Sequence, residues 1–484
     1  MSYEQTGVAF FREEVCSRLE DWQLINDCIA GQRTVKAAGT TYLPMPNADD
    51  TSRENVARYA QYKQRAVFYN VTRRTHKGLT ALAFVDPPTI VLPTGLDSLR
   101  LDIDGGGVSL QQQMQATLGK VAALGRCGLL TDYPVVNAPV SRASLVANLG
   151  LRPIMRTYDP QDIINWRTMS IGARTVPSLI VLAESCPVTT DDGFGIEYVQ
   201  QWRVLRLVDT PSGGLACSTT IYRDTDAGRQ PVETHVLLDS AGNPLQSIPF
   251  VAIGSENNDL AVDDPPMLDL ANMNIAHYCD SADYQESVFI CGQATPVLTG
   301  MTKDWWEGVM QKKLSIGSRA AVALPQGSDL KLVQAQTNGM VREAMQDKER
   351  QMVALGARLI QSREVQRTAT EARIETASEM SVLSTCASNV AAAYVQALTW
   401  AGQFVGVSGT ATIDIHANAE LERMTPAERA QLMSEVQNGL LSWTEGRRKM
   451  RQSGLATDED EKAVIEIAAR KQSQTVAVPQ VAQQ

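Results

Sequence analysis

The stretch VREAMQDKERQMVALGARLI, Val341 to Ile360, decides how the chain is read. Val341, Met345, Lys348, Met352, Leu355 and Leu359 step by fours and threes, a heptad seam with one lysine set into it. A helix of that length is roughly 30 Å long at about 1.5 Å per residue. Its apolar stripe is narrow, so it needs a partner along its whole length. Upstream, the acidic segment SENNDLAVDDPPMLDL ends in prolines suited to a first helical turn. A helix is therefore expected from about Pro265 to Ser287, with Leu268, Ala271, Ile275, Cys279 and Ala282 as its stripe. Between the two helices, Ser287 to Gln334 reads as a compact non-helical insert with strand-like ends and the pair Trp305 and Trp306 in its middle. Two long helices around an insert make a stalk. Such a stalk implies neighbours, most simply copies of itself in a ring.

Downstream comes LIQSREVQRTATEAR, Leu359 to Arg373, a basic interruption in an acidic chain. Arg358, Arg363, Arg367 and Arg373 recur at spacings that scatter them partly around a helix, and Glu364 and Glu371 can pair with them locally. Composition by itself makes this an ordinary exposed face. Thr370 to Val405 follows unbroken by proline and is expected as a single helix of about 54 Å. Ala377, Ser381, Ser384, Ala387, Ser388, Ala391 and Ala392 line it, and small residues let neighbouring helices approach closely. Three capped helices are expected beyond: Thr425 with Glu428, Ser442 with Glu445, and Thr457 before DEDE mark their starts. The tail KQSQTVAVPQVAQQ is polar and low in complexity, as disordered segments are.

Towards the N-terminus, Phe11 to Ala30 and Ser52 to Phe84 carry apolar residues at helical spacing around the loop AGTTYLPMPNADD. VDPPTIVLP, RCGLLTDYP, LRPIMRTYDP, SLIVLAESC, YVQQWRVLRLVD, LACSTTIYRD and ETHVLLDSAGNPLQSIPFVAIG read as strands. A single amphipathic helix, Leu110 to Leu124, interrupts them, announced by the capping-box pair Ser109 and Gln112. The fold class is α+β rather than a regular strand–helix alternation.

Composition narrows the function. The 484 residues have 44% hydrophobic and 20% charged content, as soluble globular chains do, with no window apolar enough for a membrane span and no leader pattern at the start. The eight cysteines are scattered without a CxxC pair, as in a reduced protein made in cytoplasm, and with the four dispersed histidines they give no metal-ligand spacing. No metal and no cofactor is expected. A net charge of -10 argues against a protein that coats nucleic acid. It suits one past which nucleic acid slides, because each neutralised phosphate adds affinity through counterion release. The glycines of DIDGGGVSLQQQ lack the Lys-Ser or Lys-Thr of a phosphate loop, and VSGT near Ser408 lacks the spacing of a nucleophile elbow. Asp102 with Asp104, and Asp263 with Asp264, read as solvated turns and helix starts. Trp305 and Trp306 could stack on bases, but adjacent tryptophans more often anchor a small domain or a subunit contact. No enzyme activity is expected.

The order of these elements resembles that of the tailed-bacteriophage portal proteins, in a portal-like group known as a domain of unknown function. The resemblance runs through DWQLINDCIAGQRTVKAAGTTYLP, YKQRAVFYNVTRRTHKGL, DIDGGGVSLQQQ, RCGLLTDYP, MLDLANMNIAHYCDSADYQ, CGQATPVLTG, MVALGARLIQ, TATEARIE and SVLSTCASNVAAAYVQAL, and covers most of residues 20 to 405. It implies a portal fold, with a wing over residues 1–260 and 370–410, stem helices at 261–286 and 339–360, and a small α/β clip at 287–338. It further implies a tunnel loop at 361–369 and a helical crown with a disordered tail at 411–484. It also implies a homo-oligomeric ring of about twelve subunits at one capsid vertex of the virion, assembled in the host cytoplasm. Through that ring the terminase large subunit drives double-stranded viral DNA, which the portal then retains and later releases. Major capsid protein and a head-to-tail adaptor would be further partners, with no membrane. On this mapping Gln361, Ser362, Arg363 and Arg367 would face the channel and touch passing phosphates loosely. Lys303, Trp305, Trp306, Lys312 and Lys313 in the clip would meet terminase or adaptor. Two rivals differ in kind. Another ring-forming adaptor would be shorter and lack a stalk with an insert, and a nucleic-acid-processing enzyme would need a carboxylate set for metal or a phosphate loop.

Overall fold

The computed structural model describes residues 6–133, 152–210, 214–225, 228–292, 295–309, 324–333, 339–359, 381–415, 426–437 and 441–452. The chain is α+β and divides into two compact units, Met1–Ala417 and Asn418–Gln484.

The first unit opens with helices α1 (Glu13–Cys16), α2 (Leu19–Ala30), α3 (Gln32–Ala37), α4 (Arg53–Arg65) and α5 (Val71–Ala83). The run expected from Ser52 to Phe84 is thus two helices. Ala66 is extended, at φ −53° and ψ 142°, and the Asn70 side chain accepts the Arg73 amide to start α5 afresh. Strand β1 (Thr89–Val91) and the short α6 (Ser98–Leu101) precede α7 (Leu110–Leu124). The capping box of α7 is formed by Ser109 and Gln112, and Gly125, at φ 76°, closes its C-terminus in the left-handed region.

Strands β2 (Arg126–Asp132), β3 (Ile154–Tyr158) and β9 (Phe250–Gly254) make one antiparallel sheet in the order β3-β2-β9. Strands β4 (Ile163–Ile171), β5 (Arg174–Thr189), β6 (Ile196–Asp209), β7 (Leu215–Thr225) and β8 (Gly228–Val236) make a five-stranded antiparallel meander. Strand β4 had no counterpart in the sequence reading. Only its first half, Ile163, Ile164 and Trp166, is buried, and the second half is exposed except for the half-buried Met169, so no sustained alternation marks it.

Helix α8 (Leu268–Gly292) leads to a hairpin of β10 (Thr295–Thr299) and β11 (Asp329–Val333), and α9 (Gly339–Arg358) returns along α8. Helix α10 (Val382–Val405) crosses the core, and β12 (Thr412–Asp414) pairs with β1. Of the single helix expected from Thr370, residues 370–380 lie outside the described residues. Ser381 is extended and its hydroxyl accepts the Ser384 amide, so the helix begins at Val382. Of the small residues expected to let helices approach, Ala387 and Ala391 are buried where α10 packs on α7, β2 and β9, Ser381 and Ser384 are half-buried, Ser388 and Ala392 are exposed, and Ala377 lies outside the described residues; Ala397 and Ala401 complete the buried side. Tyr394, fully buried on α10, donates to Gln113 Oε1 at 3.0 Å and shares a hydrogen bond with Thr117 at 2.9 Å, both on α7.

The second unit contains α11 (Pro426–Gln437) and α12 (Trp443–Gln452) among its described residues. Ser442 and Glu445 form the capping box read from the sequence: the Glu445 amide donates to Ser442 Oγ at 3.2 Å, and the Ser442 amide to Glu445 Oε2 at 2.9 Å.

Candidate functional site

The stalk is the structural feature that the heptad seam pointed to. Met352 is buried and Val341, Met345, Lys348, Leu355 and Leu359 are half-buried, whereas the off-seam Met340 and Val353 are 75% and 70% exposed. The lysine in the seam is paired. Lys348 Nζ donates to Asp280 Oδ2 on α8 at 2.5 Å and approaches the Ala276 carbonyl at 3.4 Å, so its stem fills the seam while its charge is met. One turn away, His277 Nε2 lies 3.3 Å from Glu349 Oε1.

Helix α8 is not free along its length. Its first half is embedded against α2, α4 and α5, with Leu270, Ala271, Asn274, Tyr278 and Ala282 buried. Asn274 Oδ1 accepts the Thr72 amide at 3.1 Å and its hydroxyl at 2.9 Å, and Asn274 Nδ2 donates to the Tyr69 carbonyl at 2.8 Å. The Val67 amide donates to Ser281 Oγ at 2.9 Å, and the Tyr62 hydroxyl to Asp283 at 2.6 Å. Burial and then that carboxylate hold the Tyr62 phenol well above its usual pKa. Arg65 pairs with Glu286 and its guanidinium lies over the Phe289 ring at 4.3 Å. The acidic side chains Asp280, Asp283 and Glu286 of α8 are thus matched by the body and by α9, and the stalk projects only beyond them.

That projecting part is apolar on its outside. Val288, Phe289 and Ile290 at the end of α8 are exposed, as are Val297, Leu332 and Val333 on the two-stranded hairpin. A two-stranded sheet is at best marginal in water by itself. Among the predicted insert residues, Lys303 is exposed, and Trp305 and Trp306 are half-buried on a short helical turn that includes Trp305–Val309. The insert is therefore partly helical, contrary to the expectation, because the bulky pair sits on a turn in which the Trp306 amide reaches the Thr302 carbonyl at 3.1 Å. Lys312 and Lys313, and the loop residues Gln361, Ser362, Arg363 and Arg367, lie outside the described residues.

The glycine-rich loop binds itself. Asp102 Oδ1 accepts the amides of Gly105 at 2.9 Å and Gly107 at 3.0 Å, and Asp104 Oδ1 accepts those of Gly106 at 2.8 Å and Val108 at 3.2 Å. Those donors face carboxylates rather than a cradle for phosphate. Asp263 was expected in a solvated turn and is instead buried, accepting the Glu256 amide at 2.8 Å, while Asp264 pairs with Arg18. Among the described residues, no group of three or more His, Cys, Asp or Glu side chains is placed to hold a metal ion, and no helix is long and apolar enough to cross a membrane.

Two buried charged clusters had no sequence signal beyond isolated polar letters within strands. Arg126, the first residue of β2, is buried with its guanidinium over Trp166 at 4.3 Å, and burial draws its pKa down to about 10. Between the two sheets, Glu184 accepts from Tyr158 at 2.6 Å, Gln201 at 2.6 Å and Arg203 at 2.7 Å. Burial opposes the charge on Glu184, but Arg203 and these hydrogen bonds outweigh it and leave its pKa lowered.

Residues 266–405 match the model of a domain of unknown function, DUF4055, which covers less than half of the chain. The matched segment starts just before α8 and ends with α10, so it takes in the stalk, the hairpin and the central helix. No curated protein matches. Among solved structures, the chain is similar to one described as "Neck of empty GTA particle computed with C6 symmetry", at 15% identity and a TM-score of 0.40, over 84% of this chain and 95% of that one. A superposition that loose transfers neither topology nor role.

Proposed function

We propose that this chain is a ring-forming head-tail structural component of a tailed-phage-like particle, and specifically its portal subunit. In that role, copies of the stalk line a channel for double-stranded DNA at one capsid vertex. The observation that carries the reading is the outer surface of the stalk. Its inner seam is already filled by α8 against α9, yet Val288, Ile290 and Val353 are largely exposed, and Phe289 is covered only in part by Arg65. Apolar side chains left exposed along a narrow stalk call for a partner. A copy of the same chain supplies one, and head-to-tail contacts that close give a ring, of about twelve copies on the portal resemblance.

The role is structural rather than catalytic. DNA would pass the basic loop that contains Gln361, Ser362, Arg363 and Arg367, whose few cations touch phosphates weakly enough to let them slide. Terminase and then an adaptor would meet the hairpin end of the stalk, where Lys303 is exposed and Trp305 and Trp306 are half-buried, with Lys312 and Lys313 nearby in sequence. Major capsid protein would surround the body.

Negative-stain microscopy with mass measurement of the purified full-length chain tests the reading. A channelled ring is expected, and a stable monomer at micromolar concentration would sink it. Given rings, Arg363→Ala with Arg367→Ala should leave assembly intact and change DNA packaging or retention. Unaltered packaged DNA would reduce these two to surface charges.

A further inference from the structure

Strands β5 and β6 overhang the sheet they belong to. Strand β4 pairs with β5 only as far as Leu182, and β7 pairs with β6 only from Gln201, yet β5 and β6 pair with each other out to Thr189 and Ile196. From Ser185 to Gln200 the two strands form a bare ribbon, projecting by about 20 Å at roughly 3.3 Å per residue. The cross-strand pairs Pro187 with Tyr198 and Thr189 with Ile196 place Pro187, Ile196 and Tyr198 on one face. Ile196 is 62% exposed, Tyr198 71% and Phe194, at the tip, 93%.

The tip is built. Asp192 Oδ1 accepts the amides of Phe194 at 3.0 Å and Gly195 at 3.2 Å, the Thr190 amide donates to the Gly195 carbonyl at 2.9 Å, and the Gly193 amide to the Thr190 carbonyl at 2.8 Å. Phe194 is therefore displayed on an ordered turn, and an aromatic held in that way loses little entropy on burial. The ribbon is also acidic, with Asp191, Asp192 and Glu197 and no lysine or arginine from 185 to 200. A complementary surface exists on the same chain. Helix α4 carries Arg53 and Arg58 exposed against the one acid Glu54, Arg58 standing 3.7 Å from Glu286 but 69% exposed, while Arg65 is taken up by Glu286; its outer side also exposes Val56, Ala57 and Ala60.

We infer that the β5–β6 ribbon is an arm that docks on helix α4 of a second copy of this chain, with Phe194 and Ile196 against the Val56–Ala60 side and the acidic residues beside Arg53 and Arg58. Two different patches on one chain, each complementary to the other, make a heterologous contact, the kind that closes rings. The inference rests on the ring reading and adds which surfaces join.

A photo-crosslinking phenylalanine analogue placed at position 194 of the full-length chain tests it, with light and heavy isotope-labelled copies mixed before assembly. Crosslinks between light and heavy copies at peptides of residues 53–65 are expected, together with a rise of about tenfold or more in the concentration needed for assembly of Phe194→Ser. If rings form but the crosslinks map elsewhere, the arm inference falls and the ring reading stands. If only monomers form, both fall. Retained assembly of Phe194→Ser and Ile196→Ser together, at the parent's concentration, would likewise overturn the arm.

Discussion

Replacing Asn274 with alanine tests how the stalk is rooted. The side chain is fully buried on α8 and makes three hydrogen bonds, two accepted from Thr72 and one donated to the Tyr69 carbonyl. Each such bond contributes about 1 kcal/mol net, and a buried group left without a partner costs about 1–3 kcal/mol. The Thr72 amide is one of the first-turn donors of α5, which the helix itself cannot satisfy. Removing Asn274 therefore strands a donor and a hydroxyl in the interior, while the Tyr69 carbonyl still accepts the Val71 amide at 2.9 Å, for a loss of about 2–4 kcal/mol, allowing for partial rescue by water. That is a large share of the roughly 5–15 kcal/mol by which domains are stable. Thermal unfolding of the full-length chain should show the drop, and hydrogen exchange should show it as faster opening of Leu268–Ala282 and the start of α5. Thr72→Val should cost less, and the double variant should cost less than the sum, because the residues share one network. Loss of under 1 kcal/mol in Asn274→Ala, or strict additivity with Thr72→Val, would refute the reasoning.

The Lys348–Asp280 pair is half-buried, so a double-mutant cycle with Lys348→Met and Asp280→Ala should give a coupling of about 1 kcal/mol, with the double variant more stable than Asp280→Ala alone; zero coupling would mean that the lysine only fills space. Burial first, and then the neighbouring Asp159, raise the pKa of Asp162 to about 6, above its unfolded value. The folded state then binds the extra proton, so this group favours folding at low pH, and its contribution is lost as pH rises through about 6. Asp162→Asn should flatten that fall and gain about 2 kcal/mol at pH 7, and denaturation curves at pH 5 and pH 7 with the same parent–variant difference would contradict it. At Gly125, in the left-handed region at φ 76°, an added Cβ would stand 2.9 Å from the Asp264 carbonyl oxygen, so Gly125→Ala should cost about 2 kcal/mol or more and lower Tm; a shift within error would show that the α7–β2 corner yields.

Local signals carried the sequence reading well where one element explains itself. The spacing of Val341, Met345, Lys348, Met352, Leu355 and Leu359 identified the inward side of α9, and Ser109 with Gln112 and Ser442 with Glu445 marked two helix starts. The start at Ser381 escaped notice because Ser384, not a glutamate or glutamine, stands three residues on, so the cap lacks its second half in the sequence. Strand β4 escaped because it is an edge strand whose exposed half has no alternation to read.

By itself, then, the sequence determined the α+β class, the paired helices around an insert and the small-residue helix at the centre, because periodicity and capping are properties of a few adjacent residues. Only the tertiary structure decided that α8 is rooted through Asn274, Ser281 and Asp283, that Lys348 is answered by Asp280, and that β5 and β6 outrun their sheet. Those outcomes join residues tens to hundreds of positions apart, and a polar letter in a sequence does not say which distant donor or acceptor will meet it once burial has removed water as the alternative.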